Sequence, residues 1–89
     1  MTHVGDPPPD LRALGRAVRR FRGALGLSQE AFADAAGLDR TYISGIERGV
    51  RNPTFMVLRQ VAAGLRLSLS QLLAAAEAEA AADRASRAR

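Results

Sequence analysis

The sequence predicts an all-α domain of five helices, and three observations carry that prediction. Apolar residues recur at 3-4-3-4 spacing through Leu11, Leu14, Val18, Phe21 and Leu25, the pattern of one buried helix face. Three helix starts share one arrangement: a leucine, then a capping residue, then a large apolar residue five positions after that leucine. No segment alternates apolar and polar residues as a half-buried strand does, and no internal repeat is present.

The elements follow in order. "MTHVGDPPP", residues 1–9, reads as a disordered leader, with His3 assigned no role, and Asp10 as the N-cap of the first helix. In that helix Arg12, Arg16, Arg19 and Arg20 fall largely opposite the apolar face and read as a solvated surface. Ser28 caps the second helix, with Leu27 placed to staple onto Phe32, and Gly37 ends it in the left-handed conformation. In the third, "LDRTYISGIERG", Asp39 is the cap, Leu38 and Ile43 form the staple, and Gly49 is the stop. "VRNPT" is a turn, because the residue before proline avoids the helical region. Thr54 caps a fourth helix with Phe55, Leu58, Val61, Ala62 and Leu65 inward, while Met56 and Val57 are apolar where exposure is expected. Ser68 and Gln71 form a capping box for the fifth helix, stapled by Leu67 and Leu72. Residues 74–89, "AAAEAEAAADRASRAR", are an Ala/Arg-rich extension, helical or frayed, with no heptad leucines to form a coiled coil.

Composition narrows the function. The 89-residue chain suits one domain, residues 10–73, with 47% hydrophobic but only 4% aromatic residues to build its core. All 13 basic residues are arginine. Residues 10–73 hold ten arginines against five acids, and residues 74–89 hold three against three. A basic domain with a neutral tail fits either a polyanionic partner or an ordinary soluble surface. Without cysteine there is no disulfide or thiolate site. A single histidine and no facing carboxylate pair supply no catalytic or metal-binding set, so neither enzyme activity nor a cofactor is expected. No apolar run approaches the ~20 residues of a membrane span, and no signal region opens the chain. The expectation is a cytoplasmic protein with no membrane association and no evident small-molecule ligand.

The second and third helices are separated by a few residues beginning at Gly37, the layout of a helix-turn-helix. Gln29, the small Ala33, Gly37, Ile43 and Ile46 fit a twenty-residue motif over residues 29–48. "LSQEAFA", "LDRTYISGIERG", "RNP" and "LSLSQLL" together resemble the Cro-like, phage-repressor or xenobiotic-response-element family, from about Leu11 to Leu73. "DRTYISGIERG" followed by "RN" also resembles restriction-modification controller proteins, although general regulators can share that shorter stretch.

The resemblance implies a compact lambda-repressor-like bundle that binds double-stranded operator DNA as a homodimer through its third helix. Arg40 and Thr41 stand in the first turn of that helix, where side chains meet base edges, and Ser44 lies one turn on. Gly45 falls where the family often places a base-reading side chain; it either narrows the readout or admits the DNA more closely. Gln29, Tyr42, Arg48, Arg51 and Asn52 are expected at phosphates, which set register but carry no sequence information. Arg22 and Glu47 are implied to form a partly buried salt bridge rather than a DNA contact. One departure from the family stands before the fifth helix: Gly64 precedes Leu65 and Arg66 takes the usual glycine place, so early fraying of the fourth helix is expected. The resulting expectation is a transcriptional regulator, a dimeric repressor or autoregulator reading a palindromic operator. The alternative is a protein-interaction module such as an antitoxin or adaptor subunit, with the tail as its grip.

Overall fold

A computed structural model describes residues 6–88, and among these the ordered elements are five α-helices: α1 (Pro9–Ala24), α2 (Gln29–Ala36), α3 (Arg40–Glu47), α4 (Phe55–Gly64) and α5 (Leu69–Arg87). α1 lies against α5 and α3, α2 against α3 and α4, and α4 also meets α5. Every helix places at least one fully buried side chain in the shared core, through Val18, Phe32, Ile43, Ile46, Val61 and Leu72. Leu27, Leu38 and Leu67 are half-buried and pack on that core, so each helix start is pinned at the residue before its cap.

The helix ends follow their sequence signals with informative exceptions. Ser28 and Thr54 accept the amides of Ala31 at 3.0 Å and Val57 at 3.2 Å, and Ser68 with Gln71 completes both bonds of a capping box. Asp39 occupies the N-cap of α3, but its side chain makes no capping bond. An exposed carboxylate at the positive end of a helix is favoured by the dipole without that bond. α1 starts two residues earlier than an Asp10 cap would give: Pro8 is the N-cap, Pro9 the first residue, and Asp10 lies in the first turn. Proline suits that position because its fixed φ is helical and the missing N–H has no partner there. Of the expected leader, residues 1–5, including His3, lie outside the described residues; Pro7 is tied in, its carbonyl accepting from Arg12 Nη1 at 2.9 Å.

Three packing expectations need correction. Leu25 falls just past the end of α1 and is exposed. Phe55, expected inward, is 59% exposed because it opens α4 where the chain has not yet reached the core; its ring lies 5.9 Å from the Arg59 guanidinium carbon one turn on. Val57 is half-buried against the core instead. α4 does not fray early. Arg66 itself takes the left-handed conformation, at φ 62°, and the amides of Arg66 and Leu67 close the helix onto Ala63 and Ala62 at 3.0 and 2.9 Å.

α5 runs unbroken across the change of composition at Ala74. Its distal half is fastened to α1: Glu79 takes Arg16 at 3.2 Å and Arg20 at 2.9 Å, and Asp83 lies 3.8 Å from Arg16. The arginine face of α1 is therefore partly paired rather than simply solvated. None of the described helices is long and apolar enough to cross a membrane.

Candidate nucleic-acid interface

α2, the turn and α3 form one braced unit. Gly37 ends α2 at φ 71°, a conformation that costs a side-chain-bearing residue energy, and the Leu38 amide reaches back to the Ala33 carbonyl at 2.9 Å. Ala33 is buried where the helices meet. Gln60 of α4 donates from Nε2 to the Ala36 carbonyl at 3.3 Å, tying the turn to the bundle. Sequence reasoning missed Gln60, because no local pattern marks a side chain that caps a different helix. It also missed Gly15, where an added Cβ would collide with the backbone carbonyls of Ile46 and Glu47; α1 crosses the end of α3 that closely.

The inner side of α3 holds Ile43 and Ile46, both essentially inaccessible. Beside them Glu47 is bound by Arg22, with Nε to Oε2 at 2.6 Å and Nη2 to Oε1 at 2.9 Å. Arg22 also donates Nη1 to the Leu27 carbonyl at 2.8 Å. These bonds hold the Arg22 guanidinium above its ordinary pKa, through the hydrogen bonding to Glu47 first, against the lowering effect of burial. Glu47 takes a third donor, Gln29 Nε2 at 3.0 Å, while the Gln29 side-chain oxygen accepts from Arg40 Nη1 at 3.4 Å. One chain of contacts thus runs from the partly buried pair to Arg40 at the start of α3. The Gln29 side chain, expected at a phosphate, is turned inward to Glu47; what α2 offers at its start is backbone N–H groups and a positive dipole end.

Thr41, Ser44, Gly45 and Arg48 fall at i, i+3, i+4 and i+7, one stripe on the outer side of α3. Thr41, Arg40 and Arg48 are exposed. Ser44 is half-buried, and its hydroxyl accepts from Arg48 Nε at 3.4 Å. Gly45 is the exception. It is buried, and a Cβ built there would stand 2.5 Å from Arg51 Cγ. Gly45, expected among the base-reading positions, is covered by the Arg51 stem. Beyond the stem, the Arg51 guanidinium carbon stands 5.4 Å from the centre of the half-buried Tyr42 ring. Asn52 is exposed on the turn after α3. The structure therefore gathers Arg40, Thr41, Ser44, Arg48 and Arg51 on or beside one exposed helix face and sends Gln29, Arg22 and Glu47 behind it. Among the described residues, no group of three or more histidine, cysteine, aspartate or glutamate side chains is placed to hold a metal.

Known proteins resemble this chain in sequence and fold. The helix-turn-helix family profile matches residues 18–72. The control protein C.MunI of a Mycoplasma species is 49% identical over 53 residues, 60% of this chain and 72% of the relative. The crystal structure of the restriction-modification controller protein C.AhdI from Aeromonas hydrophila superposes with a TM-score of 0.71 at 40% identity, covering 73% of this chain and 98% of that one. A third similar structure is the C.Esp1396I controller tetramer in complex with its natural 35-base-pair operator, with a TM-score of 0.74 at 35% identity over 80% of this chain and 93% of that one.

Proposed function

The chain belongs to the helix-turn-helix family, and on that premise we propose that it is a sequence-specific DNA-binding transcriptional regulator of the controller type, acting as a homodimer in the bacterial cytoplasm and on the nucleoid when bound. The observation that carries the reading is the outer stripe of α3. A short helix is braced from behind by a partly buried ion pair and turns Arg40, Thr41, Ser44 and Arg48 away from its own core. A polar helix face held rigid and left uncovered is suited to the major groove.

The mechanism follows from the side chains. The first turn of α3 enters the groove. Arg40, steadied by Gln29, bonds O6 and N7 of one guanine together, worth about 1–3 kcal/mol of discrimination. Thr41 donates to a base or touches a thymine methyl. Ser44 reaches a base when Arg48 releases it to take a phosphate. Arg48, Arg51, Asn52 and the Tyr42 hydroxyl, with the backbone N–H groups opening α2, hold phosphates and set the register. One such module covers only roughly 600–1,000 Å² on DNA, little for tight specific binding. Two copies place their α3 helices in successive major grooves about 34 Å apart, which calls for an inverted repeat. The controller tetramer bound to its operator supports assembly of this kind.

The deciding experiment is selection from random duplex DNA with the purified protein, followed by salt titration of the winning duplex. The expected result is an inverted repeat whose affinity falls steeply with salt, together with loss of binding in Arg40→Glu. Salt-sensitive binding with no enriched sequence refutes specific regulation. Absence of binding refutes DNA recognition altogether and favours the protein-interaction alternative.

A further inference from the structure

Gly45 sits on the outer stripe of α3 yet is buried, and one side chain lies over the place a Cβ would take. The three atoms nearest to a Cβ at this position all belong to Arg51: Cγ at 2.5 Å, Nε at 3.4 Å and Cδ at 3.5 Å. The same side chain ends over the face of the Tyr42 ring, its guanidinium carbon 5.4 Å from the centroid, within cation–π range. Tyr42 is itself half-buried and packed on the core, so the ring is a fixed shelf. Arg51 belongs to the turn after α3, and a surface arginine of a turn ordinarily samples many rotamers. Here it lies over the missing side chain at 45 and the aromatic face at 42.

We infer that Gly45 and Tyr42 are positioning residues that seat Arg51 across α3, so that the turn supplies a pre-ordered cation for a DNA phosphate. This rests on the DNA-binding reading above. An arginine that becomes ordered only on contact with DNA loses its rotamer freedom at that moment and binds more weakly. Arg51 has lost that freedom already on folding. The seat also accounts for glycine in the middle of a short helix, where alanine favours helix more.

The test is Gly45→Ala beside Arg51→Ala and the double variant, each titrated with salt on the duplex selected by the wild-type protein and on a scrambled duplex of equal length. An alanine methyl evicts the Arg51 stem and leaves the core untouched. The expected result for Gly45→Ala is a melting temperature equal to or above wild type. Affinity falls roughly five- to tenfold near physiological salt on both duplexes, and the salt slope drops by about one, as for a lost phosphate contact. Arg51→Ala shows the same loss, and the double variant loses no more than either single change. In the free protein the Arg51 Nε–H resonance is ordered in wild type and mobile in Gly45→Ala. Unchanged DNA affinity, additive losses, a loss confined to the selected sequence or a lowered melting temperature each overturn the seat. Failure of the wild-type protein to bind either duplex is a different outcome: it refutes the DNA-binding reading, while the resonance still reports on the seat.

Discussion

Glu47 shows how a single residue can serve both the fold and the interface. Its side chain is 3% exposed and carries a charge, and Arg22, at 16%, supplies the counter-charge through two hydrogen bonds. Removing one member of such a pair strands the other. Glu47→Ala is expected to destabilise the protein by about 3–5 kcal/mol, read as a lowered urea midpoint. That is a large share of the roughly 5–15 kcal/mol that holds a domain folded. The raised Arg22 pKa contributes stability at every pH below the ordinary guanidinium range and loses it only as pH climbs through the raised value, so this group adds no slope near neutrality. Because Gln29 bonds both Glu47 and Arg40, losing Glu47 also loosens the support behind Arg40.

The helices differ in what holds them. α2 and α3, eight residues each, are too short to persist alone and depend on packing and caps. α4 ends on Arg66 at φ 62°, a conformation that disfavours any residue with a Cβ. Arg66→Gly relieves that strain and is expected to raise stability by about 0.5–1 kcal/mol. The check is a higher urea midpoint with an unchanged m-value. An unchanged midpoint would mean that the lost rigidity of the unfolded chain offsets the relief. α5 is a 19-residue helix whose distal half is mostly alanine. Glu79 and Asp83 substitute for a packed core there by pairing with α1, and exposed pairs of this kind are worth up to about 1 kcal/mol each.

At the scale of the molecule, charge and apolar surface are divided between two regions. The acids of the tail neutralise Arg16 and Arg20 on α1, which leaves Arg40, Arg48 and Arg51 as the cations grouped at the α3 face. Phe55 and Met56, at 59% and 64% exposure, are consecutive residues at the start of α4. Large apolar neighbours left in water mark contact surfaces, and a second copy of the chain is the occupant that the dimer reading requires. Replacing both by serine is expected to shift sedimentation toward monomer and to weaken binding to the selected inverted repeat. The melting temperature should stay close to wild type, because exposed side chains contribute little to folding. A dimer that survives the double substitution would place the self-contact elsewhere.

Much of this protein was legible locally. Caps, staples and the 3.6-residue period are interactions between near neighbours, so they placed all five helices and the helix-turn-helix. Local chemistry also told which residues suit a helix start, yet not whether Asp10 caps α1 or lies inside its first turn, since both proline and aspartate suit that turn. Only the tertiary structure decided matters that depend on residues far apart in the chain. It turned Phe55 outward, ran α5 along α1, drew the Gln29 side chain to Glu47 and brought Gln60 to the turn. It also laid Arg51 over Gly45. A glycine in a sequence records only that a side chain is missing; what fills its place depends on which residue the fold brings there.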